Sequence, residues 1–179
     1  MNIPNAISLL RIALVPLFTA LYLKGYCMAA MAVLLLSGLS DILDGAIARR
    51  MNMVTDLGKV LDPIADKLIQ TAMMLCALKV SRAVWWLLAA HLLRESVLSV
   101  LGLYVIRTTG RVNSARWYGK ACTALIYAVM IAVLAFPALS QKTVEAAVLF
   151  TAAAVGACML LYAGNYISCL RADAQEQKP

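Results

Sequence analysis

Apolar residues run along this chain in long stretches, broken at fairly regular intervals by short polar or glycine-containing turns. The stretches extend roughly from Ile7 to Leu23, Met28 to Ala48, Leu57 to Val80, Ala83 to Ile106, Gly119 to Leu139 and Thr143 to Ile167. A helix rises about 1.5 Å per residue and needs roughly 20 apolar residues to cross the hydrocarbon of a bilayer. The pattern therefore predicts an all-α integral membrane fold with six transmembrane helices. Arg11 and Pro16 shorten the apolar part of the first stretch, so residues Pro4 to Leu10 are expected to form an interfacial segment before the chain turns inward. The closing residues, RADAQEQKP, read as a short polar tail.

Composition agrees with this pattern. Of 179 residues, 63% are hydrophobic and 14% charged, a balance that excludes a soluble domain with a wetted surface. Six crossings use up the length, which predicts a single membrane domain over residues 1–179. The five cysteines, Cys27, Cys76, Cys122, Cys158 and Cys169, show no metal-ligand spacing and read as small buried residues. No basic residue precedes the first apolar run and Arg11 interrupts it, so a cleaved signal peptide is not expected.

Charge gives the orientation. Six crossings put Arg49, Arg50, Lys59, Arg107, Arg111, Arg116, Lys120, Arg171 and Lys178 on one side, and Lys24, Lys79, Arg82 and Lys142 on the other. The richer side is expected to be cytoplasmic, with both termini inside and the protein in the cell inner (plasma) membrane. The net charge of +7 then gathers on the face that meets anionic headgroups or a phosphorylated substrate. Nucleic acid is a poor partner for such a chain.

Five of the nine acidic residues, Asp41, Asp44, Asp56, Asp62 and Asp66, lie between the middle of the second apolar stretch and the start of the third. Carboxylates in membrane helices are costly unless they are paired, hydrated or bound to metal. At about 100° per residue, Asp41, Asp44, Gly45, Ala48 and Arg49 fall on one arc of roughly 140°. Gly58, Asp62 and Asp66 share a face at four-residue steps. The short intervening loop makes the two helices antiparallel neighbours, so four carboxylates can converge near the cytoplasmic surface. Oxygen ligands without His or Cys suit Mg²⁺ or Mn²⁺, and four carboxylates suffice for two divalent ions acting on a phosphate group. The small Gly45, Ala48 and Gly58 would let a nucleotide or pyrophosphate approach the backbone, and Arg49 would pair with a phosphate oxygen.

Read in order, Asp41, Asp44, Gly45, Ala48, Arg49, Gly58, Asp62 and Asp66 spell D-x-x-D-G-x-x-A-R, eight residues, then G-x-x-x-D-x-x-x-D. This resembles the signature of the CDP-alcohol phosphatidyltransferases. The resemblance implies a six-helix homodimer with its active site at the cytoplasmic face, CDP-diacylglycerol as donor, CMP as leaving group and two divalent ions. It assigns Asp41, Asp44, Asp62 and Asp66 to metal, and to Asp66 also the role of general base. Asn5, Asp44, Gly45, Ala48, Arg49, Thr55 and Gly58 would bind the CDP group, with Pro4, Ser8 and Arg11 of the opening segment closing the site.

The motif leaves the acceptor open. Arg94-Glu95, then Arg107, Arg111, Arg116 and Gly119-Lys120, resemble the branch that makes phosphatidylglycerophosphate from glycerol 3-phosphate. A basic cluster of this kind suits a phosphorylated alcohol. Ala121 and Cys122 depart from that branch, in which a second lysine and then a threonine often follow the Gly-Lys pair. Phosphatidylglycerol, as in cardiolipin synthesis, or inositol phosphate are the alternative acceptors. Positive-inside anchoring also accounts for Arg107, Arg111 and Arg116, whereas Arg94, deep in an apolar segment, needs Glu95, a substrate phosphate or helix ends as partner. His91 reads as a packing residue, and Trp85, Trp86, Trp117 and the tyrosines as an interfacial belt. A prenyltransferase would carry its aspartate motifs far apart in a longer chain. A divalent-cation transporter would need acidic residues reaching both faces.

Overall fold

A computed structural model of the chain describes the backbone of residues 3–50, 56–109 and 117–176, and the side chains of residues 9–38, 61–108, 117–168 and 170. The described residues form six α-helices and no strand: α1 (Ile3–Leu23), α2 (Cys27–Arg50), α3 (Asp56–Ala77), α4 (Val84–Thr109), α5 (Trp117–Ala135) and α6 (Gln141–Glu176). The all-helical class and the six expected elements are present. Three helical stretches, Val84–Thr108, Trp117–Ala135 and Gln141–Ser168, are long and apolar enough to cross a membrane, and shorter apolar stretches occupy Leu9–Leu23 and Cys27–Gly38. These lengths and compositions mark a membrane protein.

Two boundaries differ from expectation. Residues 4–10 belong to one helix that continues to Leu23, rather than to a segment followed by a turn. Pro4 falls in the first turn, where a missing N–H costs nothing. At the other end, the polar tail is helical as far as Glu176, because Arg, Ala, Gln and Glu are good helix formers and no glycine or proline stops the helix earlier.

Local chemistry sets the turns. Helix α1 ends where the Tyr26 N–H donates to the Leu21 carbonyl (3.0 Å) and the Gly25 N–H to the Tyr22 carbonyl (3.0 Å), with Gly25 at φ 86°. These are the paired bonds of a Schellman cap, which needs a left-handed residue. Helix α6 begins after Ser140, whose hydroxyl accepts from the Thr143 N–H (3.2 Å) and so caps an otherwise unmet helix donor.

The chain forms two compact units, Met1–Val80 with Met130–Leu139, and Ser81–Val129 with Ser140–Pro179. In the first, α1 packs against both α2 and α3, burying Phe18, Ala30, Leu34, Ile69 and Met73. Ala65, Ala72 and Ala77 are also buried on α3, where small side chains allow close helix approach. In the second, α4 packs against α6 around Leu87, Val105, Val148 and Val155, with Cys122 and Ile126 of α5 also buried. Trp86, Val100, Phe150 and Leu160 remain exposed, as expected of surfaces that meet lipid. Trp85, Trp86 and Trp117 lie at helix starts and are exposed, consistent with interfacial placement.

The cap at Gly25 leads to a stability prediction. Gly25→Ala is expected to destabilise the protein by about 1 kcal/mol, because a Cβ disfavours the left-handed conformation. Gly25→Asn should cost less, since asparagine tolerates that region. Thermal unfolding in detergent checks the order: wild type, then Asn, then Ala.

Candidate functional site

The described acidic residues of the motif lie on α3. Asp62 and Asp66 are one helical turn apart and so share a face, with Pro63 between them inside the helix. Arg11 reaches them from α1. Its Nη2 donates to Asp62 Oδ1 at 2.8 Å and its Nη1 to Asp66 Oδ1 at 3.2 Å. The arginine side chain is only 4% exposed, against 47% and 45% for the two carboxylates. Two like charges at this spacing repel, and a bridging guanidinium offsets that cost. Half-exposure of the carboxylates keeps the gain below that of a fully buried pair.

The chemistry of this donor set fits a divalent cation. Both carboxylates turn an oxygen to one positive group, and the guanidinium acts as the stand-in ion. Asp41, Asp44, Gly45, Ala48 and Arg49 fall within the span of α2, and Gly58 within α3. Their side chains, like those of Asn5 and Ser8, lie outside the described residues, and Thr55 lies outside them altogether. Two of the four predicted carboxylates are thus brought together here. Among the described residues no group of three or more His, Cys, Asp or Glu side chains assembles.

A pocket of about 470 Å³ lies in the second unit, lined by Arg94, Gly119, Lys120, Thr123, Tyr127 and Tyr162. Arg94 is 6% exposed. It stands 3.5 Å from Glu95 (Nη1 to Oε1), which is a charge contact but too long for a strong hydrogen bond. Its Nε has no hydrogen-bond partner among the described residues. A buried guanidinium in this state favours an anion. Lys120 adds a second positive charge. Arg107 stands exposed in the last turn of α4 and does not line the pocket, while Arg111 and Arg116 lie outside the described residues.

The pocket also shows what periodicity missed. Tyr127 and Tyr162 line it rather than serving as interfacial belt. A Cβ at Gly119 would overlap the Tyr162 hydroxyl, with ring atoms at 3.0 Å, so glycine is what lets that ring lie on α5. The ring packs edge-on against Tyr118 at 4.7 Å, whose hydroxyl accepts from Asn165 Nδ2 at 2.6 Å. Glycine immediately before the lysine was the available signal, but its tyrosine partner is 43 positions away in the sequence. Arg11 was expected beside the CDP group, and its described partners are the two aspartates.

Residues 1–160 match the family model described as CDP-alcohol phosphatidyltransferase. A Bacillus subtilis protein named "CDP-diacylglycerol--glycerol-3-phosphate 3-phosphatidyltransferase" is 34% identical over 137 residues, covering 68% of this chain and 70% of that one. A Salmonella typhimurium protein of the same name is 28% identical over 183 residues, covering 98% of each. A Streptomyces coelicolor protein named "Cardiolipin synthase (CMP-forming)" is 37% identical over 138 residues, covering 72% of this chain and 63% of its own. With the family model matching most of its length, this chain belongs to the CDP-alcohol phosphatidyltransferase family.

Proposed function

We propose that this protein transfers the phosphatidyl group of CDP-diacylglycerol to glycerol 3-phosphate, giving phosphatidylglycerophosphate and CMP in phospholipid biosynthesis. The observation that carries the choice of acceptor is the pocket lined by both the buried Arg94 and the exposed Lys120. Two cationic side chains suit a small phosphorylated alcohol, and a neutral acceptor has no use for them. The names of the Bacillus and Salmonella relatives support the same acceptor.

In this reading Asp41, Asp44, Asp62 and Asp66 hold two divalent ions, Mg²⁺ or Mn²⁺. When bound, the ions supply positive charge against the pyrophosphate of the donor. Asp66 takes the proton from the primary hydroxyl of the acceptor as that oxygen attacks the β-phosphorus of CDP-diacylglycerol, and CMP leaves. Asn5, Asp44, Gly45, Ala48, Arg49, Thr55 and Gly58 bind the CDP group. Arg94 and Lys120 hold the acceptor phosphate, with Arg107, Arg111 and Arg116 adding positive potential. All six helices cross the inner membrane and the protein works as a homodimer, as the family resemblance implies; the distribution of basic residues supports both termini and the active site on the cytoplasmic side.

A second acceptor, phosphatidylglycerol, is favoured by one observation, the 37% identity to the Streptomyces cardiolipin synthase. An acceptor panel separates the two readings. Purified protein with Mg²⁺ or Mn²⁺ and CDP-diacylglycerol is expected to release CMP with glycerol 3-phosphate, and not with phosphatidylglycerol or inositol phosphate. Release with either of the latter alone rejects the acceptor assigned here. Lys120→Ala should raise the KM for glycerol 3-phosphate about tenfold, as loss of a charge-assisted bond predicts, with the KM for CDP-diacylglycerol little changed. Asp66→Asn should lower kcat by at least about a hundredfold while CDP-diacylglycerol binding stays measurable. Near-normal turnover in that variant would remove Asp66 from the role of base.

A further inference from the structure

We propose that Arg11 is a resident counter-cation: it holds Asp62 and Asp66 in the metal-free protein and must give up their oxygens for a divalent ion to bind, so that it sets the affinity of the site for the ion. The inference rests on the reading of Asp62 and Asp66 as metal ligands.

The bonding pattern is the first support. Among the described residues, the guanidinium spreads its bonds over two carboxylates. It splits its two terminal nitrogens, Nη2 to Asp62 and Nη1 to Asp66, and so bridges the pair as a metal ion would. The second support is the difference in exposure, since the arginine is almost wholly enclosed while each carboxylate is nearly half open. The third is the origin of the residues: Arg11 belongs to α1 and the carboxylates to α3. The spacing of the two aspartates is therefore set by α3 and does not depend on Arg11.

Linkage fixes the sign of the effect. Bonds made by Arg11 to these oxygens stabilise the metal-free state and are lost on ion binding, so their free energy subtracts from the affinity. Removing the charge at position 11 raises the free energy of the metal-free state and leaves the loaded state less affected. A residue that only orients the ligands for metal predicts the opposite sign.

The test uses the full chain, purified in detergent with Mn²⁺, stripped by chelation and titrated with Mn²⁺ while the free ion is followed by electron paramagnetic resonance. Arg11→Gln is expected to lower the Mn²⁺ Kd about tenfold, the size of one or two charge-assisted bonds. Arg11→Lys, a point charge without the planar fork, should lie between the two. Mn²⁺ should also raise the thermal midpoint of Arg11→Gln by more than it raises that of wild type. If wild type binds Mn²⁺ and the glutamine variant binds it equally or more weakly, the proposal is overturned while the metal site stands. If wild type and both variants bind no Mn²⁺, the metal-ligand reading fails and the proposal with it. Should the glutamine variant not survive chelation, the lysine variant decides, and Mn²⁺ binding no tighter than wild type overturns the proposal.

Discussion

Ionised carboxylates on a helix packed among apolar helices must be compensated, and much of the first unit can be understood from that constraint. Asp62 and Asp66 share a face of α3, so two half-exposed carboxylates stand side by side. The compensation comes from Arg11, held at 2.8 and 3.2 Å from the two carboxylates. This requires α1 to lie against α3, as it does, with Phe18 buried further along α1 and Ala65 and Ala72 on α3 keeping side-chain bulk low. An aliphatic residue in place of Arg11 would leave the two carboxylates without this bridge.

The second unit meets the same constraint with the opposite charge. Arg94 is buried on α4 and its adjacent Glu95 answers it only loosely, at 3.5 Å. Arg94 also lines a pocket that carries Lys120. Among the described residues, Thr123, Tyr127 and Tyr162 complete that wall. The paired carboxylates of the first unit suit a cation, and the Arg94 and Lys120 pocket of the second suits an anion.

Local pattern made most of the fold legible. Apolar runs separated by Lys24-Gly25, Val80-Ser81 and Ser140-Gln141 mark helix ends within a few residues of those observed, because turns and caps are short-range chemistry. The continuation of α6 beyond Leu170 was not legible as membrane structure, since its polar residues are helix formers without an apolar signal. The four-residue step from Asp62 to Asp66 was readable for the same local reason. Their partnership with Arg11, 51 and 55 residues away, was not, because contacts between helices leave no period in the sequence. The seat of Tyr162 on Gly119 is hidden in the same way, although the glycine itself is visible.

Helix α6 has a further consequence. Its 36 residues span about 54 Å at 1.5 Å per residue, against a hydrocarbon thickness of about 30 Å. The apolar stretch ends at Ser168, yet the helix continues for two more turns without a break. Such a rod acts as a depth gauge. Its greasy length and its polar extension together fix how far the chain can sink or tilt, and a thinner or thicker bilayer must be met by leaning the rod rather than by sliding it.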